Sequence, residues 1–252
     1  MRYRRTGAGV RDVRFSIAAG EILGIAGESG SGKSTIATAI LGLSDRRGGV
    51  ASGQVIFKGA DLLLLREREL RQYRGRRIAL VSQSSLAALN PALRLKTQFK
   101  EVWRAHRADG DWREAALPVL ELLRVPATAE FLDRYPPELS VGLAQRVLIS
   151  LALLHGPELL IADEPTSALD LVTQADLLSL FRRLRDERGM SILFISHDLL
   201  ALASACDRIA VLREGSVVEI IEARRFLIDP VHPYSQQLVS ALRSIAAPAT
   251  NL

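Results

Sequence analysis

Gly27-Glu28-Ser29-Gly30-Ser31-Gly32-Lys33-Ser34-Thr35 is the stretch that decides the fold. It fits Gly-x-x-x-x-Gly-Lys-[Ser/Thr], follows the apolar run Ile22-Leu23-Gly24-Ile25-Ala26, and opens onto the helix-like run Thr35 to Leu41. A strand, a glycine-rich loop and a helix in that order form a phosphate cradle. Gly27, Gly30 and Gly32 let the chain curl so that backbone N–H groups point inward, and the following helix directs its positive end at the same anion. A triphosphate such as ATP fits there: Lys33 reaches the β- and γ-phosphates as a point charge, and the Ser34 hydroxyl is placed to ligand Mg²⁺.

Two further strand ends carry chemistry. Leu159-Leu160-Ile161-Ala162-Asp163-Glu164 is an apolar strand ending in two carboxylates. Asp163 is read as the Mg²⁺ residue, through the metal's water shell, and Glu164 as the group that orients water toward the γ-phosphate. An Asp-Glu pair at a strand end is also an ordinary turn; the loop upstream is what makes it functional. His197 closes Ile192-Leu193-Phe194-Ile195-Ser196, and its place beside the other strand ends makes it a γ-phosphate contact rather than a helix-start residue. Lys33, Glu164 and His197 are therefore the expected catalytic set.

The 252 residues suit one large α/β domain, too short for two nucleotide-binding domains. Apolar residues make up 48% of the chain, yet no stretch of about 18 residues lacks charge, so no membrane span is expected. The Arg-rich start carries no apolar segment, and a cytosolic chain is expected. The single cysteine, Cys206, excludes an internal disulfide or a multi-cysteine metal site within the chain. The net charge of +5 peaks between Arg66 and Arg77, with Glu67 and Glu69 interleaved and Tyr73 as the lone aromatic. That pattern reads as a solvated or partner-facing surface, not a nucleic-acid platform.

Val13, Phe15 and Ile17 alternate with polar residues and predict a half-exposed strand; Gln54 to Phe57 predicts another, turning at Lys58-Gly59. Arg77 to Val81 predicts a buried strand. Residues 84–156 read as helical, broken at Asn90-Pro91, Asp109-Gly110, Pro126 and Pro136-Pro137. From Leu159 onward, strands of continuous Ile, Leu and Val alternate with helices at Leu171 to Arg188 and Leu199 to Ala205. This predicts a mainly parallel sheet covered on both faces, with ligands at the carboxyl ends of its strands. The expected fold class is thus an α/β P-loop NTPase core with an antiparallel β subdomain and a helical insertion.

The phosphate loop, Gln83, Leu139-Ser140-Val141-Gly142-Leu143, the Asp163-Glu164 strand, Ser167-Ala168-Leu169-Asp170 and His197 occur in the order seen in ABC-transporter ATPase subunits. The sequence resembles that family over nearly its whole length. Leu89-Asn90-Pro91, Arg134-Tyr135-Pro136 and His232-Pro233-Tyr234 narrow the likeness to the peptide/nickel importer branch. The resemblance implies that Gln83 senses the γ-phosphate and Mg²⁺ and relays to the membrane subunit, that Asp170 joins two cassettes head to tail, and that Ser140 and Gly142 cap the partner's ATP. Ser140 is also a good N-cap for a helix from Val141 to Leu154. Relatives place an aromatic upstream to stack on adenine, and Tyr3 is the candidate. Residues 1–83, 84–156, 157–222 and 223–252 are expected to form the phosphate-loop part, the helical subdomain, the rest of the core and a C-terminal helical tail.

The family's usual Leu-Ser-Gly-Gly-Gln is altered here at Val141 and Leu143. Valine does not readily take φ > 0 or admit close approach to a phosphate, so the site completed in trans is expected to be weakened. The implied assembly is an ATP-hydrolysing heterodimer with a related cassette, bound peripherally at the cytoplasmic face of two membrane permease subunits and supplied by an extracytoplasmic substrate-binding protein. A soluble ABC-type ATPase serving a non-transport complex is the alternative.

Overall fold

The computed structural model describes residues 1–3, 9–82, 85–106 and 110–246. Its centre is a six-stranded sheet assembled from distant parts of the chain. In chain order the elements begin with β1 (Arg2–Tyr3), β2 (Ile22–Ala26), α1 (Lys33–Ile40), β3 (Gly49–Val50), β4 (Ile56–Phe57), β5 (Ala60–Asp61), α2 (Glu67–Tyr73) and β6 (Ile78–Val81). A helical stretch follows: α3 (Ser85–Ala88), α4 (Leu95–His106), α5 (Trp112–Leu122), α6 (Ala129–Leu132) and α7 (Val141–Leu153). The chain then alternates through β7 (Leu159–Asp163), α8 (Leu171–Arg188), β8 (Ser191–Ile195), α9 (Leu199–Ala205), β9 (Arg208–Arg213) and β10 (Ser216–Glu222), and ends in α10 (Ala223–Phe226) and α11 (Pro233–Ala246).

β9, β2, β8, β7 and β6 run parallel, and β10 alone is antiparallel, against β9. Side chains of the parallel strands alternate between two cores because the strand period is two. Ile22, Leu160, Ala162, Ile192, Phe194, Ile209 and Val211 face the core shared with α4, α5, α7, α8 and α9. Leu23, Ile25, Ile161, Leu193, Ile195 and Leu212 face the one shared with α1 and α2. Burial on both faces explains why these strands read as unbroken apolar runs. The antiparallel pieces are two small sheets, β1 with β3 and β4 with β5. The second turns at Lys58 (φ 47°) and Gly59 (φ 83°), both left-handed as a tight hairpin requires.

Two sequence expectations fail. Residues 13–17 form no strand, although Val13, Phe15 and Ile17 pack on the α1-side core while Arg14 and Ser16 face solvent. An extended chain lying on a core shows the same alternation as a strand without any ladder. The Gln54 to Phe57 run shrinks to Ile56–Phe57. β10 was not anticipated.

Candidate active site at the strand ends

The phosphate loop spans the gap between β2 and α1 on the carboxyl side of the sheet, and two of its glycines have steric reasons to be there. Gly27 has φ 156°, and a Cβ on it would stand 2.4 Å from the Leu212 carbonyl oxygen and 2.8 Å from Ser31 Oγ. Gly32, the left-handed N-cap of α1 at φ 106°, would put a Cβ 2.5 Å from Val10 Cγ1. Any side chain at either place forces the loop open. Glu28, Ser29 and Gly30 form its exposed tip, Ser31 and Gly32 are half-buried, and Thr35 is buried in the first turn of α1.

Lys33, only 7% exposed, turns back into the loop and donates to the Gly27 carbonyl at 2.8 Å and the Glu28 carbonyl at 3.0 Å. Its ammonium also lies 3.9 Å from Glu164 Oε1. Burial lowers the Lys33 pKa, opposed by the charges of Glu164 and Asp163. Ser34 Oγ donates to Asp163 Oδ1 at 3.1 Å. On the far side of Glu164, Oε2 meets His197 Nδ1 at 2.8 Å. The structure therefore brings together Lys33, Ser34, Asp163, Glu164 and His197 from the ends of β2, β7 and β8.

Glu164 sits at φ 51°, an uncommon backbone region for a residue with a side chain. Its N–H donates to the Ile195 carbonyl at 2.9 Å, and its own carbonyl accepts from Ser167 Oγ at 3.1 Å. The neighbouring strand and turn thus hold the strained residue so that its carboxylate bridges lysine and histidine. Ser31 Oγ is buried without a hydrogen-bond partner, an orphan inside the cradle that a phosphate oxygen would satisfy. Ser34 and Asp163 supply hard oxygen donors side by side, which fits Mg²⁺ held by few protein ligands plus phosphate and water. Among the described residues no cluster of three or more His, Cys, Asp or Glu could hold a metal by itself.

Tyr3 is held by the β1–β3 pairing opposite Gly49, and its hydroxyl lies 3.4 Å from Thr35 Oγ1. Gln83 lies outside the described residues. Ser140 and Gly142 belong to a second cluster, against α8. Ser140 Oγ caps α7 by accepting from the Leu143 N–H at 3.3 Å. Gly142 lets α8 come close: a Cβ there would stand 2.9 Å from Thr173 Cγ2. Val141 lies in the first turn of α7 and has no positive φ. The backbone argument against valine fails, because this segment is ordinary helix; what Val141 adds is an exposed isopropyl group. Asp170 caps α8 through the Val172 and Thr173 N–H groups at 3.0 Å, and Asp198, after His197, accepts from Gln174 of α8 at 2.6 Å. That tie between α8 and the His197 turn had no signal in the sequence.

Residues 10–167 match the profile of a family described as ABC transporter. The chain belongs to that family. As an ABC protein with this site, it is an ATPase. It is 43% identical over 235 residues to the ATP-binding protein BAB2_1052 of Brucella abortus (strain 2308), covering 92% of this chain and 71% of that one. The oligopeptide transport ATP-binding protein OppD of Escherichia coli (strain K12) is 40% identical over 240 residues, 94% of this chain and 71% of OppD. Among solved structures, the ABC cassette MJ0796, described as a dimeric post-hydrolysis state bound to ADP and Pi, superposes with a TM-score of 0.74. It is 29% identical, over 85% of this chain and 90% of MJ0796. Among the described residues no helix is long and apolar enough to cross a membrane.

Proposed function

We propose that this ABC ATPase powers the import of short peptides, as the peripheral, cytoplasmic-face subunit of a membrane permease. The transport reading rests on relatives named for oligopeptide and dipeptide transport; those names favour peptides over nickel. The catalytic reading is carried by one observation, the Glu164 carboxylate set between the Lys33 ammonium and the His197 ring. Loop N–H groups and Lys33 bind the β- and γ-phosphates of ATP. Glu164 takes a proton from the attacking water and aims it at the γ-phosphorus, while His197 orients Glu164 and contacts the γ-phosphate. Ser34 and Asp163 would hold Mg²⁺, with Gln83 as a further contact; the ion neutralises developing phosphate charge when bound. Tyr3, pinned beside Thr35, is the adenine platform.

Ser140 and Gly142 act on the ATP of a second cassette through the positive end of α7, and the pairing we favour is a heterodimer. The segments 1–83, 84–156 and 157–222 serve nucleotide binding, coupling to the permease and completion of the core, and 223–252 forms a C-terminal helical tail. Co-expression with the permease and binding-protein subunits, followed by ATP-dependent uptake of labelled peptides into vesicles, tests the whole. Uptake that requires Glu164 supports it. ATP turnover with no membrane partner recovered would instead favour a soluble accessory role.

A further inference from the structure

A cavity of about 90 Å³ opens where α5, α7 and α8 meet. Its floor is apolar, with Leu123, Leu177 and Leu180 buried there. One polar group is buried among them. Gln145 of α7 is 3% exposed, and its Nε2 finds no hydrogen-bond partner among the described residues. An amide N–H kept from water without an acceptor is destabilising, and a leucine of similar length would fill the place without that cost. The other polar walls are mostly cationic: Arg124, Arg146 and Arg183 stand against one carboxylate, Asp176. Arg146 ties the two sides together, donating through Nη2 to Asp176 Oδ2 at 3.0 Å and through Nη1 to the Leu123 carbonyl at 3.4 Å. Arg124 is there against its backbone preference. It holds the left-handed position at the end of α5 (φ 53°), with its N–H on the Glu121 carbonyl at 3.0 Å and the Val125 N–H on the Leu120 carbonyl at 2.8 Å. That closing pattern favours glycine; the arginine adds strain to the helix end and a positive charge to the cavity.

We propose that this cavity is a binding site for a small organic monocarboxylate. A carboxylate oxygen accepts from the Gln145 amide, the guanidiniums offset the negative charge, and the short apolar remainder rests on Leu123, Leu177 and Leu180. An apolar floor with one buried donor and a charged rim is the usual make-up of a small-molecule site. The volume equals that of about three waters in the liquid, room for an acid the size of propionate. Phosphate, more strongly hydrated and without an apolar part, would leave the leucines unmatched and gain one buried donor only. A bound acid touches all three helices and so braces α5 and α7 against α8.

The test is a titration of the purified full chain with sodium propionate, without nucleotide and at an ionic strength fixed with sodium chloride, so that it stands apart from the ATP reading. Binding is read from the NMR signals of the Gln145 side-chain amide and from the melting temperature. We expect propionate to shift those signals saturably, with a Kd on the order of 1 mM, and to raise the melting temperature as any ligand of the folded state does. Propionamide and inorganic phosphate should do so at least about tenfold more weakly, for want of the charge or of the apolar part. Gln145→Leu should melt no lower than wild type without ligand, since it removes the orphaned amide, and should lose the stabilisation by propionate. Arg124→Gly relieves the left-handed residue, so it should melt higher than wild type yet raise the propionate Kd about 2- to 5-fold, the range of one partly screened charge. Those opposite signs keep the test decisive even if Gln145→Leu does not fold. The proposal is overturned if propionate leaves the Gln145 amide unmoved, which would mean that water alone satisfies it. It is overturned equally by stabilisation that survives in Gln145→Leu, by a Kd unchanged in Arg124→Gly, or by phosphate acting as strongly as propionate.

Discussion

Glu164 concentrates the cost and the benefit of this site in one residue. Holding a side-chain-bearing residue at φ 51° costs about 1–3 kcal/mol, offset by its N–H bond to Ile195 and the Ser167 bonds to its carbonyl. That conformation turns the carboxylate so that one oxygen faces Lys33 and the other His197. Glu164→Gln keeps size and backbone but removes the base. Turnover is expected to fall by about 10²–10⁴-fold, with the Kd for ATP within a few-fold of wild type. Single-turnover kinetics beside equilibrium titration separates the two, and an equal loss of binding and turnover would reduce Glu164 to a structural support. Cys206 is the opposite kind of residue. Its sulfur packs against Gly24, where a Cβ would come within 2.9 Å, and burial pushes its thiol pKa up. Cys206 is only half-buried, so a thiol reagent is expected to label the native chain slowly, because little thiolate is present, and the rate should rise sharply through the unfolding transition.

Helix bounds in this chain follow from single capping residues, which is why some elements were legible and others were not. Asp170 starts α8 and Gly189, at φ 61°, stops it; Asp198 starts α9. Both helices fall where the sequence predicts, as does the cluster of Lys33, Asp163, Glu164 and His197 at strand ends, since a phosphate loop between strand and helix leaves little topological freedom. β10 was hidden by a register shift between Val217 and Glu219 that breaks its alternation, and the Val13 to Ile17 run misled because alternation reports a half-buried extended chain, not its hydrogen bonds. The packing of Tyr234 under Arg213 depends on a fold-back of the tail that no local pattern encodes. The α7–α8 contact yields a prediction with a sign that flips. Gly142→Ala gains about 1 kcal/mol of helix propensity but sets its new methyl 2.9 Å from Thr173 Cγ2. Thr173 cannot simply rotate away, because its Oγ1 donates to Asp170 Oδ2 at 2.7 Å and completes the α8 cap. Overpacking of about 1–3 kcal/mol wins, so the variant should be less stable by about 1 kcal/mol in urea unfolding. In a Thr173→Ser background the methyl is gone and the cap is kept, and Gly142→Ala should then stabilise. A cost that persists there would place the crowding elsewhere.

The faces around these helices bear on how the molecule assembles. Leu171 is 83% exposed and Val172 75%, both directly after the Asp170 cap; Leu200 is 55% exposed in the first turn after Asp198, and Val141 is 39% exposed at the start of α7. Large apolar side chains at the tips of three functional turns mark surface that gains by being covered, and the cassette MJ0796 is described as dimeric. In the head-to-tail pairing proposed above, two copies of this chain would each place Val141 and Leu143 over the other's triphosphate. There an isopropyl group stands in the path of the α7 N-terminus and Leu143 brings no hydrogen bond, so a symmetric dimer forfeits contacts at both sites. A heterodimer forfeits them at one. Glu164→Gln protein with saturating ATP is therefore expected to sediment as a monomer by itself. Val141→Gly with Leu143→Gln, added to that variant, should shift it toward an ATP-dependent dimer with an apparent dissociation constant at least about tenfold lower, since two recovered contacts of even 0.7 kcal/mol each amount to that factor. The shift must vanish without nucleotide, because the recovered groups face only phosphate. Dimerisation of the unaltered signature, equally strong with ATP, would mean that helix dipole and apolar burial suffice and that the pairing is symmetric.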